Sequence, residues 1–123
     1  MVGYLWFNGV IFLIIGIRCL VSPVEAVAIP YSMQADSKDA RNYLRASAGG
    51  VTITSGVLLM VGGFSTQYTF AALMLAITLF AGLVFGRIVS LFADGKPSVI
   101  PFIAGSLELL GLLFGIFWFA QIH

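Results

Sequence analysis

Four apolar runs, at residues 2–21, 40–62, 68–93 and 99–120, occupy most of the 123-residue chain. Each meets the roughly 20 residues that an α-helix needs to cross the hydrocarbon of a bilayer. No water is available there to satisfy backbone N–H and C=O groups, so such runs become helices rather than irregular chain. Charged residues make up 9% of the sequence and hydrophobic residues 60%, against about 25% charged in a soluble domain. Too little polarity is left to cover a water-facing surface. The sequence therefore predicts an all-α fold, a single integral membrane domain over residues 1–123 built as a four-transmembrane-helix antiparallel bundle.

The connections carry their own signals. Ser22-Pro23-Val24-Glu25 reads as a capping box with proline at the first helical position, starting a short helix over residues 23–29 that Pro30 stops. Val24, Val27 and Ala28 share one side of it, so it is expected to lie at the membrane interface between spans one and two. Ala26-Val27-Ala28 has the look of a secretory cleavage site, but the first run lacks the basic region that would precede one. Asp36-Ser37-Lys38-Asp39 supplies the cap of the second span, with acids at its positive end. Gly62-Gly63 with Ser65-Thr66-Gln67, and Asp94-Gly95-Lys96-Pro97-Ser98, read as the two remaining turns.

Basic residues set an orientation. Arg18, Lys38, Arg41, Arg45, Arg87 and Lys96 gather toward connections one–two and three–four, while the two–three connection and both tails hold no Lys or Arg. The positive-inside rule makes the charged end cytoplasmic and puts both termini on the non-cytoplasmic side.

Ions inside the spans mark the candidate site. Arg87 in the third span and Glu108 in the fourth are each costly in hydrocarbon unless they face one another or a wet cavity. At 1.5 Å rise per residue, Arg18, Arg45, Arg87 and Glu108 sit at depths of about 6, 8, 9 and 15 Å, so Arg87 and Glu108 are within reach of each other. Three arginines against one glutamate leave two positive charges over, with Asp94 or Asp39 able to neutralise one. The remainder suits an anionic or polar-headed partner held by forked arginine contacts. Ser90 and Asp94 share a helical face with Arg87 and complete the cluster. For Arg18 and Arg45 the plainer expectation is snorkelling to headgroups, and for Arg87–Glu108 an ion pair that fixes helix register.

Small residues predict which helical faces pack. Gly49, Gly56 and Gly63 recur every seven residues, Gly82 and Gly86 continue to Ser90, and Gly111 with Gly115 forms a small-xxx-small pair on the Glu108 side. Tyr4, Trp6 and Asn8 read as interface residues of the outer face, Cys19 as a small apolar filler, and His123 as a mobile tail group.

The chemistry these residues exclude is broad. One cysteine and one histidine cannot form an intrachain disulfide or a His/Cys metal cluster, so neither a metal nor another cofactor is expected. A net charge of +1 argues against a nucleic-acid partner. Ser90 has no neutral base to activate it, and no catalytic constellation is present, so a non-enzymatic role is expected.

Arg41-Asn42-Tyr43-Leu44-Arg45-Ala46, Gly49-Gly50, Gly86-Arg87-xx-Ser90-xxx-Asp94-Gly95-x-Pro97 and Glu108 together resemble a bacterial family of small four-helix membrane proteins of unknown function. The likeness covers nearly the whole chain and implies the fold and a bacterial inner membrane, with no activity attached. The layout is also similar to the DoxX-like four-helix proteins, some of them associated with quinone-linked redox systems, an analogy of architecture alone. Two roles are expected: holding a polar-headed or anionic lipophile, a lipid or quinone-like molecule, in the cytoplasmic half of the bundle, or serving as an accessory subunit of a larger membrane complex or homo-oligomer.

Overall fold

The computed structural model describes residues 1–34 and 37–122. Among them four helices are long and apolar enough to cross a membrane: Val2–Val21, Lys38–Phe64, Thr66–Asp94 and Val99–Ile122, the first to fourth spans. Asp36 of the second cap and His123 of the tail lie outside the described residues.

Glycine decides how the first two spans meet. A Cβ added at Gly9 would stand 3.1 Å from the Gly56 carbonyl oxygen, and one at Gly16 3.0 Å from that of Gly49. From the other side, a Cβ at Gly49 would press on the backbone of Leu20, and one at Gly56 on the backbone of Gly9 and Leu13. Seven-residue spacing on both helices therefore brings two smooth faces into backbone contact, antiparallel, as small residues allow in hydrocarbon. Gly63 extends the seam by accepting the Trp6 indole, which lies edge-on to Phe64. Leu5, Leu59, Ala72 and Ala76 form the centre of the bundle where spans one, two and three converge, with Tyr4 and Phe12 against them.

The helix ends follow local chemistry. Ser37 Oγ accepts from the Ala40 amide at 3.0 Å and caps the second span, with Asp39 in its first turn. Spans two and three are separated by Ser65 alone, in extended conformation. Thr69 Oγ1 donates to the Gly62 carbonyl at 2.6 Å and to that of Ser65 at 3.1 Å, tying the turn to both helices. The third span ends at Gly95, whose φ of 84° only glycine adopts without strain.

Between spans one and two the local expectation changes. Ser22 terminates the first helix, its amide donating to the Arg18 carbonyl, and Pro23 rather than Ser22 stands at the head of the short segment. Val24–Ala28 winds as a single π turn, with the Ile29 amide on the Val24 carbonyl at 2.9 Å. Its apolar side is covered by protein: Val24, Val27 and Ala28 pack with Ala40 and Leu44 at the start of the second span. A second π segment, Arg45–Gly50, sits inside the second span and widens the helix where Gly49 meets Leu20.

The exterior is that of a chain bathed in hydrocarbon. Phe64, Phe85 and Phe92 are 70–89% exposed within long apolar helix faces, a surface that soluble monomers do not present to water. Along the fourth span the buried position is Gly115. This helix packs along the third span and meets the first mainly at Tyr4, which leaves a seam between spans one and four.

Candidate functional site

That seam is the mouth of a cleft of about 900 Å³. Its walls are apolar, with Phe7, Ile11 and Ile15 from the first span facing Leu107, Leu110 and Phe114 from the fourth. Phe12 and Phe80, edge to face at 5.7 Å, form part of its floor. At one end the Tyr4 hydroxyl donates to the Gly111 carbonyl at 2.7 Å and lies against Gly115, bridging the two walls. Gly111 is needed here for another reason, since a Cβ would enter the ring of Phe80.

Polar groups interrupt the apolar lining at a few points: Asn8, Ser47, Thr52, Ser55 and Glu108. Ser47 Oγ donates back to the Tyr43 carbonyl at 2.7 Å, and the Asn8 side-chain amide donates to the Tyr4 carbonyl at 2.9 Å. The Ser55 and Thr52 hydroxyls and the Asn8 side-chain oxygen have no hydrogen-bond partner among the described residues. No fully enclosed polar side-chain atom among those residues is left unpaired, so these oxygens remain open to the cleft. Ser55 and Asn8 are nevertheless only 8% exposed.

Arg87 and Glu108 meet between spans three and four. Arg87 Nε donates to Glu108 Oε1, and Nη2 to Oε2 at 2.9 Å, a forked pair with side-chain exposures of 32% and 16%. Arg87 also lines a separate recess of about 220 Å³ with Val84, Gly105 and Leu109. Gly105 makes the approach possible, because a Cβ there would lie 2.9 Å from Arg87 Cδ. Tyr31, from the connection after the first span, lies beside the same guanidinium. Glu108 thus lines the cleft, and Arg87, which does not, holds its carboxylate.

The other residues singled out from the sequence go elsewhere. Arg45 Nε donates to the Leu20 carbonyl at 2.8 Å, capping one of the free carbonyls at the negative end of the first helix. Arg18 is exposed in the last turn of that helix. Among the described residues Ser90 reaches only Asp94, at 3.5 Å, and both are exposed. None of these four lines the cleft. The expected excess of inward positive charge is therefore not assembled around Glu108. Gly82 and Gly86 also depart from expectation: a Cβ on either meets none of the described residues within 4 Å, so their stripe faces outward. The reason is angular, since at 100° per residue a face through 82, 86 and 90 lies about 100° from Arg87, which turns toward span four. Tyr4 and Asn8 point inward instead of to the outer interface, and Cys19 is a buried free thiol as expected of a filler. Gly9, Gly16, Ser55 and Gly105 were not anticipated. Gly9 and Gly16 repeat the seven-residue spacing of their partners and could have been found by it.

Residues 2–119 match a domain of unknown function, DUF4345. The chain belongs to the DUF4345 family. No curated protein and no solved structure matches it. For this DUF4345 protein the chemistry of the site must therefore be read from its own side chains, and these offer an apolar cleft, a carboxylate paired with an arginine, and hydroxyls without a partner among the described residues.

Proposed function

We propose that this protein is a non-catalytic membrane protein that holds a polar-headed lipophile in the cleft between spans one and four. The observation that carries the reading is the cleft itself. It encloses about 900 Å³ and opens along a seam on the apolar exterior, within the roughly 300–1,000 Å³ of small-molecule sites. Glu108 and the hydroxyls supply the few polar contacts that orient a ligand in such a pocket. The protein sits in a bacterial inner membrane with its basic end cytoplasmic, and its ligand enters laterally from the lipid.

Leu107→Trp tests the reading, because Leu107 is 63% exposed on the cleft wall and a larger ring there fills the cleft without disturbing the core. Purified in mild detergent, the native protein is expected to carry a lipophile identifiable by mass spectrometry, and the variant to have lost it. An identical set of bound molecules in both removes the cleft as the site.

A second reading, an accessory subunit of a larger complex or homo-oligomer, draws on one observation: the smooth outward stripe of Gly82 and Gly86 that none of the described residues covers.

A further inference from the structure

Resting on the cleft reading, we infer that the ligand's head is uncharged and bears a hydroxyl, donating to Glu108 and exchanging hydrogen bonds with Ser55 and Thr52. Three observations lead there. First, the carboxylate that faces the cleft is already neutralised. Both Glu108 oxygens accept from Arg87, yet an ionised carboxylate has about four acceptor sites, so capacity remains for a donor. Second, Arg87 lines a different recess and is not among the residues of the cleft wall. A phosphate or carboxylate head in the cleft would meet the Glu108 oxygens, with Arg87 donors already committed to them and to the Pro101 carbonyl, and like charges repel strongly where the dielectric is low. An ammonium head would compete with Arg87 for the one carboxylate and leave a net positive charge in the apolar cleft.

Third, the remaining polar groups are of the kind that a hydroxyl satisfies. Ser55, 8% exposed, keeps its hydroxyl turned to the cleft with no partner among the described residues. Helical serines ordinarily bond back to the preceding turn, as Ser47 and Thr54 do here. Thr52 is likewise open, and Asn8 offers a carbonyl oxygen. Acceptors and two-way hydroxyls thus outnumber obligate donors. A hydroxyl-bearing head donates a hydrogen bond to Glu108 or Asn8 and accepts one from Ser55 or Thr52, with no net charge moved into hydrocarbon. Its chain lies along Ile11, Ile15, Leu107 and Leu110 and leaves through the seam.

The test uses the full chain, stripped of bound lipophile in detergent, and three probes that share one sixteen-carbon tail: 1-hexadecanol, palmitate and hexadecylamine. Binding is measured by native mass spectrometry. Hexadecanol is expected to bind at least about tenfold more tightly than either charged probe, a difference of roughly 1.4 kcal/mol. Ser55→Ala with Thr52→Val is expected to weaken hexadecanol about fivefold, as loss of modest hydrogen bonds should, and to leave the melting temperature unchanged. Preference for palmitate or hexadecylamine overturns the uncharged head while keeping the cleft as a site, as does hexadecanol binding that ignores the Ser55/Thr52 change. Failure of all three probes to bind overturns the cleft reading itself, and this inference with it.

Discussion

At the scale of single residues, the Arg87–Glu108 pair is where position along the chain translates most directly into contact. Breaking a buried pair by removing one partner costs about 3–5 kcal/mol. Here Arg87 is about a third exposed, so a loss of about 1–3 kcal/mol is expected for Arg87→Gln or Glu108→Gln alone. Each single change strands a charge, whereas the double change strands none. The double variant should therefore unfold at a higher temperature than the sum of the two single losses gives, measured in one detergent. Strictly additive losses would mean that the pair does not stabilise the bundle as a unit. The meeting of these two residues was legible in the sequence because helical rise alone sets their depths, and ions in hydrocarbon have few alternatives to each other. The open hydroxyl of Ser55 was not. Most helical serines bond to their own backbone, and nothing local distinguishes the one that does not. Arg45 misled for the opposite reason: a carbonyl at the end of the first helix competes for it as well as any ligand would.

At the scale of helices, equal-looking glycine patterns have opposite fates. Gly56→Ala puts a methyl group 2.9 Å from the Gly9 carbonyl oxygen, where backbone on both sides must move, and overpacking of this kind costs about 1–3 kcal/mol. Gly82→Ala meets open space and should be neutral or gain up to about 1 kcal/mol from helix propensity. Thermal unfolding of the two variants should separate them in that order. Equal melting temperatures would argue that the first two spans are not held by backbone contact. Gly82→Leu with Gly86→Leu carries the test to association. An unchanged native mass would remove the accessory reading, and a smaller one would support it. Spacing in the sequence identifies a smooth face, but what covers that face depends on the rotation of the whole helix. For Gly49 and Gly56 the matching repeat at Gly9 and Gly16 supplies the cover. No such repeat answers Gly82 and Gly86. The π segment at Arg45–Gly50 was equally illegible, because Ala-Ser-Ala-Gly-Gly fits an ordinary helix as readily as a widened one.

For the whole molecule, the bundle followed from four long apolar runs, while the open seam did not, since it depends on how far the fourth helix sits from the first. Orientation is the remaining property at this scale, and it constrains the proposed function because it decides which leaflet lies beside Glu108. The residues near 65 and those near 96 must lie at opposite ends of the third span, which joins them through 29 helical residues. Arg18, Lys38, Arg41, Arg45, Arg87 and Lys96 all belong to the half of the bundle that ends at Lys96, and positive charge is retained on the cytoplasmic side. Single cysteines at Gln67 and at Lys96, in a Cys19→Ala background, turn this into a labelling experiment in intact bacteria. Gln67→Cys is expected to react with a membrane-impermeant maleimide in whole cells, and Lys96→Cys only after the membrane is opened. The reverse pattern would invert the protein and place Glu108 nearer the outer leaflet. Reaction of both from the same side would mean that the third span does not cross, and the cleft would then have no lipid-facing seam through which a ligand could enter.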